Sequence, residues 1–116
     1  MTVRRALMLT AFLLLAVYLL MMADNIFWRD SMEFALIGHH LDIGHPAGSP
    51  TFALVAKLTS LLPLGNLAWR ANLVSVLSAV AAVLLLWGAA AKWIELLLPT
   101  LKKSAWAWGA VAALAF

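Results

Sequence analysis

The sequence predicts an all-α membrane protein with about four transmembrane helices. Of its 116 residues, 66% are hydrophobic and only 11% are charged, whereas soluble domains are about half apolar and about a quarter charged. The apolar residues form long runs separated by short polar segments, and about 20 such residues suffice to cross a bilayer. An ordinary soluble domain is therefore excluded, and so is a disordered tail, which needs high charge and low hydrophobicity.

We expect these runs to form the N-terminal part of a single polytopic membrane domain, because the last run ends without a cap, breaker or charged flank. The predicted spans lie at about 6–23, 47–64, 68–91 and 104–116, with an outer loop over 24–46. Arg4 and Arg5 precede the first span and acidic residues follow it, a distribution that places the N-terminus in the cytoplasm. A cleaved signal peptide is the alternative for the first run, but its apolar region covers only about 7–15 residues.

Charge and residue types exclude several classes of function. The net charge is +3, yet the basic residues are scattered, whereas nucleic-acid binding needs a basic patch on one face. The chain has no cysteine, which excludes disulfides, cysteine nucleophiles and thiolate metal sites. We expect instead a multi-pass protein of the bacterial inner membrane or plasma membrane, in contact with membrane lipid.

The outer loop holds most of the polar chemistry. It contains four of the five acidic residues and all three histidines. Apolar side chains at helical spacing predict a short interfacial helix over residues 31–41. Gly44 and the prolines after it are expected to end that helix.

Asp30 and Glu33 are the first candidate site. They are three residues apart, so a helix would place both carboxylates on one face. Such a pair can act as a general base and its partner, or hold a divalent cation, although the residues do not require a metal. Acidic residues in a solvated loop are the plainer interpretation. The neighbouring Trp28 and Phe34 favour a function, because an ionisable group at a hydrocarbon boundary is costly.

The second candidate site is the sequence His-Pro-Ala-Gly-Ser-Pro at 45–50. Pro46 restricts His45 to extended geometry, and Gly48 allows close approach of another backbone or a ligand. Pro50 suits the first turn of a helix, whose free N–H groups attract anions such as a lipid-linked phosphate. A proline-bounded turn that leads into a span explains the same residues without a ligand.

Two cations and a histidine cluster complete the candidates. Lys57 and Arg70 can each pair with a carboxylate, contact a phosphate or extend to the membrane interface. Arg70 is expected near the inner end of its helix, which favours the interface. A metal site made of the three histidines is not expected, because the adjacent His39 and His40 would point about 100° apart on a helix.

Three motifs, in this order, resemble the DUF2723 family, polytopic membrane proteins that include the TMEM260-like protein O-mannosyltransferases. The motifs are Arg-Asp-Ser-Met-Glu-Phe at 29–34, Leu-Asp-Ile-Gly-His-Pro-Ala-Gly-Ser-Pro at 41–50 and Arg-Ala-Asn-Leu-Val-Ser at 70–75. The chain departs from the family pattern where Arg29 and Met32 replace glycines and Ala47 replaces a proline. A methionine between the two carboxylates removes backbone freedom that glycine would give.

The resemblance implies a GT-C type glycosyltransferase that takes a mannose-like hexose from a polyprenyl-phosphate carrier at the extracytoplasmic face. The acceptor would be a protein or a glycan. The residues do not require a cofactor, although they could hold a divalent cation. The resemblance implies catalytic roles for Asp30 and Glu33. It also implies donor-binding roles for residues of the second motif and beyond, namely His45, Pro46, Gly48, Lys57 and Arg70. The alternatives are a transporter or flippase, with the two carboxylates and Lys57 along a polar path, and a non-catalytic structural membrane protein.

Overall fold

The computed structural model describes residues 3–26, 30–45 and 48–115, and all regular structure in these ranges is helical. The all-α fold class is therefore confirmed. The helices are α1 (Val3–Met21), α2 (Ser31–His40), α3 (Pro50–Ser60), α4 (Leu67–Leu97) and α5 (Ala105–Ala115), with a 3-10 turn at Pro99–Leu101 before α5.

By length and composition, α1 and α4 are the helices that could cross a membrane in the described part of the chain. The 31 residues of α4 extend about 46 Å at 1.5 Å per residue, more than the roughly 30 Å of the hydrocarbon core. The 11-residue helices α3 and α5 extend only about 16 Å each. Each predicted span thus corresponds to a helix, but four membrane crossings are not established.

Two helix boundaries differ from the predicted ones. The helix expected over 47–64 is confined to Pro50–Ser60, because the backbone of Gly48 is left-handed (φ 52°) and a turn with the left-handed Gly65 (φ 56°) follows. In contrast, α4 continues past residue 91 and ends at Leu97. The next residue, Leu98, directly precedes Pro99. A residue before proline is disfavoured in helical geometry, so the helix ends there.

Helix α2 covers nearly all of the predicted 31–41, but the residue that ends it is not the expected one. Leu41, and not Gly44, ends the helix with a left-handed backbone (φ 59°), and its N–H donates to the carbonyl oxygen of Ile37. Gly44 instead lies against α2, where an added Cβ would be 2.7 Å from Ile37 Cδ1 and 3.4 Å from Glu33 Oε1. The glycine therefore lets the loop after α2 fold back onto the helix.

The described residues form two compact units. One unit is Val17–Leu77, and the other is made of the chain on either side of it. In the second unit, the indole Nε1–H of the buried Trp87 donates to the carbonyl oxygen of Trp106 at 2.7 Å. An added Cβ on Gly109 would lie 2.8 Å from the Trp87 carbonyl oxygen, so a glycine is needed where α5 packs on α4.

In the Val17–Leu77 unit, α2 packs closely against α3. Gly38 lies so close to α3 that an added Cβ would overlap the Cβ of Ala56. Phe34 and Phe52 meet edge to face with ring centroids 5.2 Å apart, a favourable aromatic arrangement. This helix pair carries the first two sequence motifs.

Two asparagines of the α4 segment bind the backbone at the end of α1. Asn66 Nδ2 donates to the carbonyl oxygen of Asp24 at 2.7 Å, and Asn72 Nδ2 donates to that of Ala23 at 3.0 Å. Asn66 Oδ1 also accepts the N–H of Trp69, which caps α4. The start of α4, with Arg70, therefore lies at the end of α1 that leads into the loop at 24–46, which we call the acidic loop. If the N-terminus is in the cytoplasm, this contact puts Arg70 at the outer end of its helix and not at the expected inner end.

This arrangement predicts that the whole stretch between α1 and α4 lies on one side of the membrane. These 116 residues contain no cysteine, so a cysteine introduced into them is their single labelling site, and the unsubstituted protein gives the background. We expect Asp42→Cys and Leu64→Cys to react equally with an impermeant maleimide added to intact cells, while a tag at the N-terminus stays protected. Labelling of Leu64→Cys only after permeabilisation would support the four-span arrangement instead.

Candidate functional site

Side chains from all three sequence motifs line one cavity of about 470 Å³ in the Val17–Leu77 unit. We call it the motif cavity. The cavity lies where the starts of α2 and α3 meet the first turns of α4. Its lining residues are Asp30, Ser31, Phe34, Ser49, Phe52, Ala71, Asn72 and Ser75.

Asp30 occupies the N-cap position of α2, but its carboxylate makes no capping hydrogen bond. Aspartate at this position normally accepts an N–H of the first turn, which stabilises a helix by about 1 kcal/mol. Only the backbone carbonyl of Asp30 takes part in the helix, accepting the N–H of Phe34 at 2.9 Å. The carboxylate is therefore available to a ligand in the motif cavity.

Ser49 shows the same feature at the start of α3. It is the N-cap residue, its hydroxyl makes no capping hydrogen bond, and it lines the motif cavity. Pro50 begins the helix, as the sequence predicts. A Cβ added to Gly48 would have no atom within 4 Å, so close approach does not require a glycine here. Its left-handed backbone does, because side chains disfavour a positive φ. Pro46 lies outside the described residues, as do Trp28 and Arg29.

Glu33 is paired with His45 and not with Asp30. Glu33 Oε2 lies 2.8 Å from His45 Nδ1, and Oε1 accepts the backbone N–H of His45 at 2.7 Å. Both carboxylate oxygens are thus engaged, and neither Glu33 nor His45 lines the motif cavity. A cation shared by Asp30 and Glu33 would have to displace His45. The structure therefore brings Glu33 and His45 together, and Asp30 lines the motif cavity without them. Asp30 and Glu33 also line a second cavity, of about 390 Å³, together with Asp42.

The pair shifts the pKa of both partners in opposite directions. Hydrogen bonds from the backbone and then the ring of His45 lower the pKa of Glu33 below 4.5. The hydrogen bond to Glu33, followed by its charge, raises the pKa of His45 above 6.5. The stabilising effect is complete between these ordinary values. It is lost as pH falls through the lowered pKa of Glu33 or rises through the raised pKa of His45.

We therefore expect Glu33→Gln to lower the pKa of His45, because the amide removes the negative charge that favours the imidazolium. The measurement is an NMR pH titration of histidine side chains in both proteins. His39 and His40, which form no hydrogen bond with Glu33, serve as internal references. An unchanged titration of His45 in the variant would contradict the ion pair.

The two candidate phosphate ligands, Lys57 and Arg70, donate to backbone carbonyl oxygens and do not line the motif cavity. Lys57 Nζ donates to the carbonyl oxygen of His39 at 2.6 Å, at the end of α2, where a cation complements the helix dipole. The guanidinium of Arg70 binds the α3–α4 turn through all three of its nitrogens. Its acceptors are the carbonyl oxygens of Ser60, Leu64 and Gly65, at 2.9, 2.7 and 3.1 Å respectively.

The motif cavity is also lined by Asn72, Ser75 and Ser49, none of which was predicted as a site residue from the sequence. A signal for the first two was present, because residues three apart on a helix share one face and both belong to the third motif. Both side chains are uncharged, whereas Arg70 in the same motif carries a charge, and the charged residue was the one chosen as a candidate.

Comparison with known proteins identifies the family. Residues 30–116 match the protein O-mannosyl-transferase TMEM260 N-terminal domain, a match that begins at Asp30. The protein O-mannosyl-transferase TMEM260 of Mus musculus is 42% identical over 72 residues, which are 60% of this chain and 10% of that protein. The chain thus spans about a tenth of the length of this curated relative, and no solved structure matches. The chain belongs to the TMEM260 N-terminal domain family.

Proposed function

We propose that the chain is the N-terminal part of a membrane glycosyltransferase that moves a mannose-like hexose from a polyprenyl-phosphate carrier to a protein or glycan. The observation that carries the proposal is the motif cavity, in which Asp30 and Ser49 occupy helix N-caps without capping. A helix start that forgoes its cap loses about 1 kcal/mol of stability. The relative is named as a protein O-mannosyl-transferase, which supports the same reaction class.

Asp30 acts as the general base of the proposed reaction. Its carboxylate takes the proton of an acceptor hydroxyl while that oxygen attacks the anomeric carbon, and the bond from this carbon to the carrier phosphate breaks. The sugar configuration is inverted, and the lipid phosphate leaves with the bonding electrons. Glu33 has an indirect role, because it holds His45 and the loop that leads to Ser49.

The carrier phosphate is proposed to lie at the start of α3. Among the described residues, no lysine or arginine lines the motif cavity. The N–H groups of the first turn of α3, which Ser49 leaves uncapped, would therefore face the phosphate. With the N-terminus in the cytoplasm, α1 delivers this region to the extracytoplasmic face. A lipid-borne donor and a water-borne acceptor can meet there.

A transporter is less well supported by the contacts. It needs charged groups exposed along a common path, whereas Glu33 is paired with His45 and Lys57 donates to a backbone carbonyl. Of the three charges proposed for such a path, Asp30 alone lines the motif cavity.

The proposal is tested by incubating the purified full-length protein with a synthetic polyprenyl-phosphate mannose donor and a peptide or glycan acceptor. We expect transfer of labelled mannose, with the anomeric configuration of the product opposite to that of the donor. Product with retained configuration would exclude Asp30 as the base of a single displacement, and a complete absence of transfer would count against the function.

A further inference from the structure

We infer that Asn72 and Ser75 bind hydroxyl groups of the sugar ring in the motif cavity, and that Asn72 determines which sugar is accepted. The inference rests on the proposed function and assigns a further role within the same cavity. Both residues project from the first turns of α4 and line the cavity with Asp30. On a helix, positions three apart lie on the same face.

The lining of the motif cavity suits an uncharged polyol. It contains three serine hydroxyls, the amide of Asn72 and the carboxylate of Asp30, together with the rings of Phe34 and Phe52. Hydroxyls and amides can donate to and accept from sugar hydroxyl groups, and aromatic rings supply apolar surface for the C–H face of a sugar. The α4 side of the cavity contributes only the uncharged Ala71, Asn72 and Ser75, which suits the hydroxyl groups of the sugar.

The amide of Asn72 is held in a fixed orientation. Its Nδ2 donates to the carbonyl oxygen of Ala23 at 3.0 Å, and only the nitrogen of an amide can donate to a carbonyl. Asn72 Oδ1 is then left as an acceptor that a hydroxyl group can use. A preoriented polar group discriminates well, because a ligand without the matching hydroxyl leaves it unpaired.

Ser75 lies beside this amide with its hydroxyl free to adapt. It is exposed and forms no hydrogen bond with another described residue. Ala71, one turn before Ser75, is buried and contributes only a methyl group to the cavity wall. The small side chain leaves room for a ligand between the start of α2 and α4.

Asn66 provides a matched control within the same chain. Like Asn72, it donates through Nδ2 to a carbonyl oxygen at the end of α1, but it does not line the motif cavity. Loss of either amide removes one contact with the end of α1, and loss of Asn66 also removes the cap of α4. Asn66→Ala therefore disturbs the fold at least as much as Asn72→Ala. Loss of Asn72 alone removes a group that a ligand could touch.

The first test measures binding of methyl α-mannopyranoside to the full-length protein in detergent by saturation-transfer NMR, which requires no catalysis. We expect Asn72→Ala to weaken binding about tenfold, the effect of one lost hydrogen bond of about 1.4 kcal/mol. Asn66→Ala should change binding by less than about twofold. Equal affinity in the wild type and Asn72→Ala, or equal losses in both variants, would overturn the inference.

The second test identifies the hydroxyl group involved. The affinity of methyl mannosides that each lack one hydroxyl group is measured for the wild type and for Asn72→Ala. We expect the sugar that lacks the hydroxyl bound by Asn72 to have the same weak affinity for both proteins. If every deoxy sugar loses affinity in the variant by the same factor, Asn72 acts through the fold and the inference fails. Sugar binding that depends on Asn72 without any transfer would support the inference and contradict only the proposed function.

Discussion

Replacing Asp30 with asparagine is expected to lower turnover about 10²–10⁴-fold, the usual effect of removing a general base, while the protein stays folded. Asparagine keeps the volume and much of the hydrogen bonding of aspartate but cannot accept the proton. The structure adds a reason to expect normal stability, because the Asp30 carboxylate caps nothing. The measurement is mannose transfer from a synthetic polyprenyl-phosphate donor, together with thermal unfolding of each variant.

Asp42→Asn is the matched control for this substitution. Asp42 is an exposed aspartate of the same loop, and it does not line the motif cavity. Its carboxylate accepts the N–H of the neighbouring Ile43, and the amide oxygen of an asparagine can accept the same N–H. If Asp30→Asn kept more than about a tenth of wild-type turnover, Asp30 would not be the base.

Gly38→Ala is expected to destabilise the protein by about 1–3 kcal/mol, although alanine is the better helix former. The added Cβ would overlap the Cβ of Ala56, which is only 2% exposed, and would lie 3.3 Å from the backbone carbonyl carbon of Ala56. Because neither atom belongs to a flexible side chain, α2 and α3 must separate. Turnover should fall too, since these helices carry Asp30 and Ser49.

Gly88→Ala is the control, and its effect should have the opposite sign. Gly88 lies within α4 and has no atom within 4 Å of an added Cβ. Alanine there should stabilise the protein by about 0.5–1 kcal/mol through its helix propensity. Thermal unfolding in detergent compares the two variants, and stabilisation by both would show that α2 and α3 are not in close contact.

The helices were predictable from the sequence because each depends on local patterns. Apolar runs of sufficient length gave the positions of α1 and α4, and the proline at residue 50 gave the start of α3. The ends were less predictable. Leu41 adopts a left-handed backbone without the glycine that normally favours it, so nothing in the local sequence marks the end of α2.

The site was only partly predictable because its contacts join distant segments. Asp30 could be selected from its residue type and motif, and it lines the motif cavity. The partner of Glu33 could not, since the contact with His45 depends on how the loop after α2 folds back over Gly44. Likewise, the acceptors of Arg70 are backbone carbonyls of a turn, and backbone groups leave no signature in a sequence.

The two asparagine contacts at the end of α1 also set the order in which the protein can assemble. Each contact joins two residues that are far apart in the sequence, with separations of 42 and 49 residues. The end of α1 is therefore held only once the start of α4 has been synthesised. During synthesis from the N-terminus, the acidic loop and the α2–α3 pair are made before either asparagine is available. The motif cavity can therefore close only after the start of α4 has emerged from the ribosome, so it forms after the α2–α3 pair has been made.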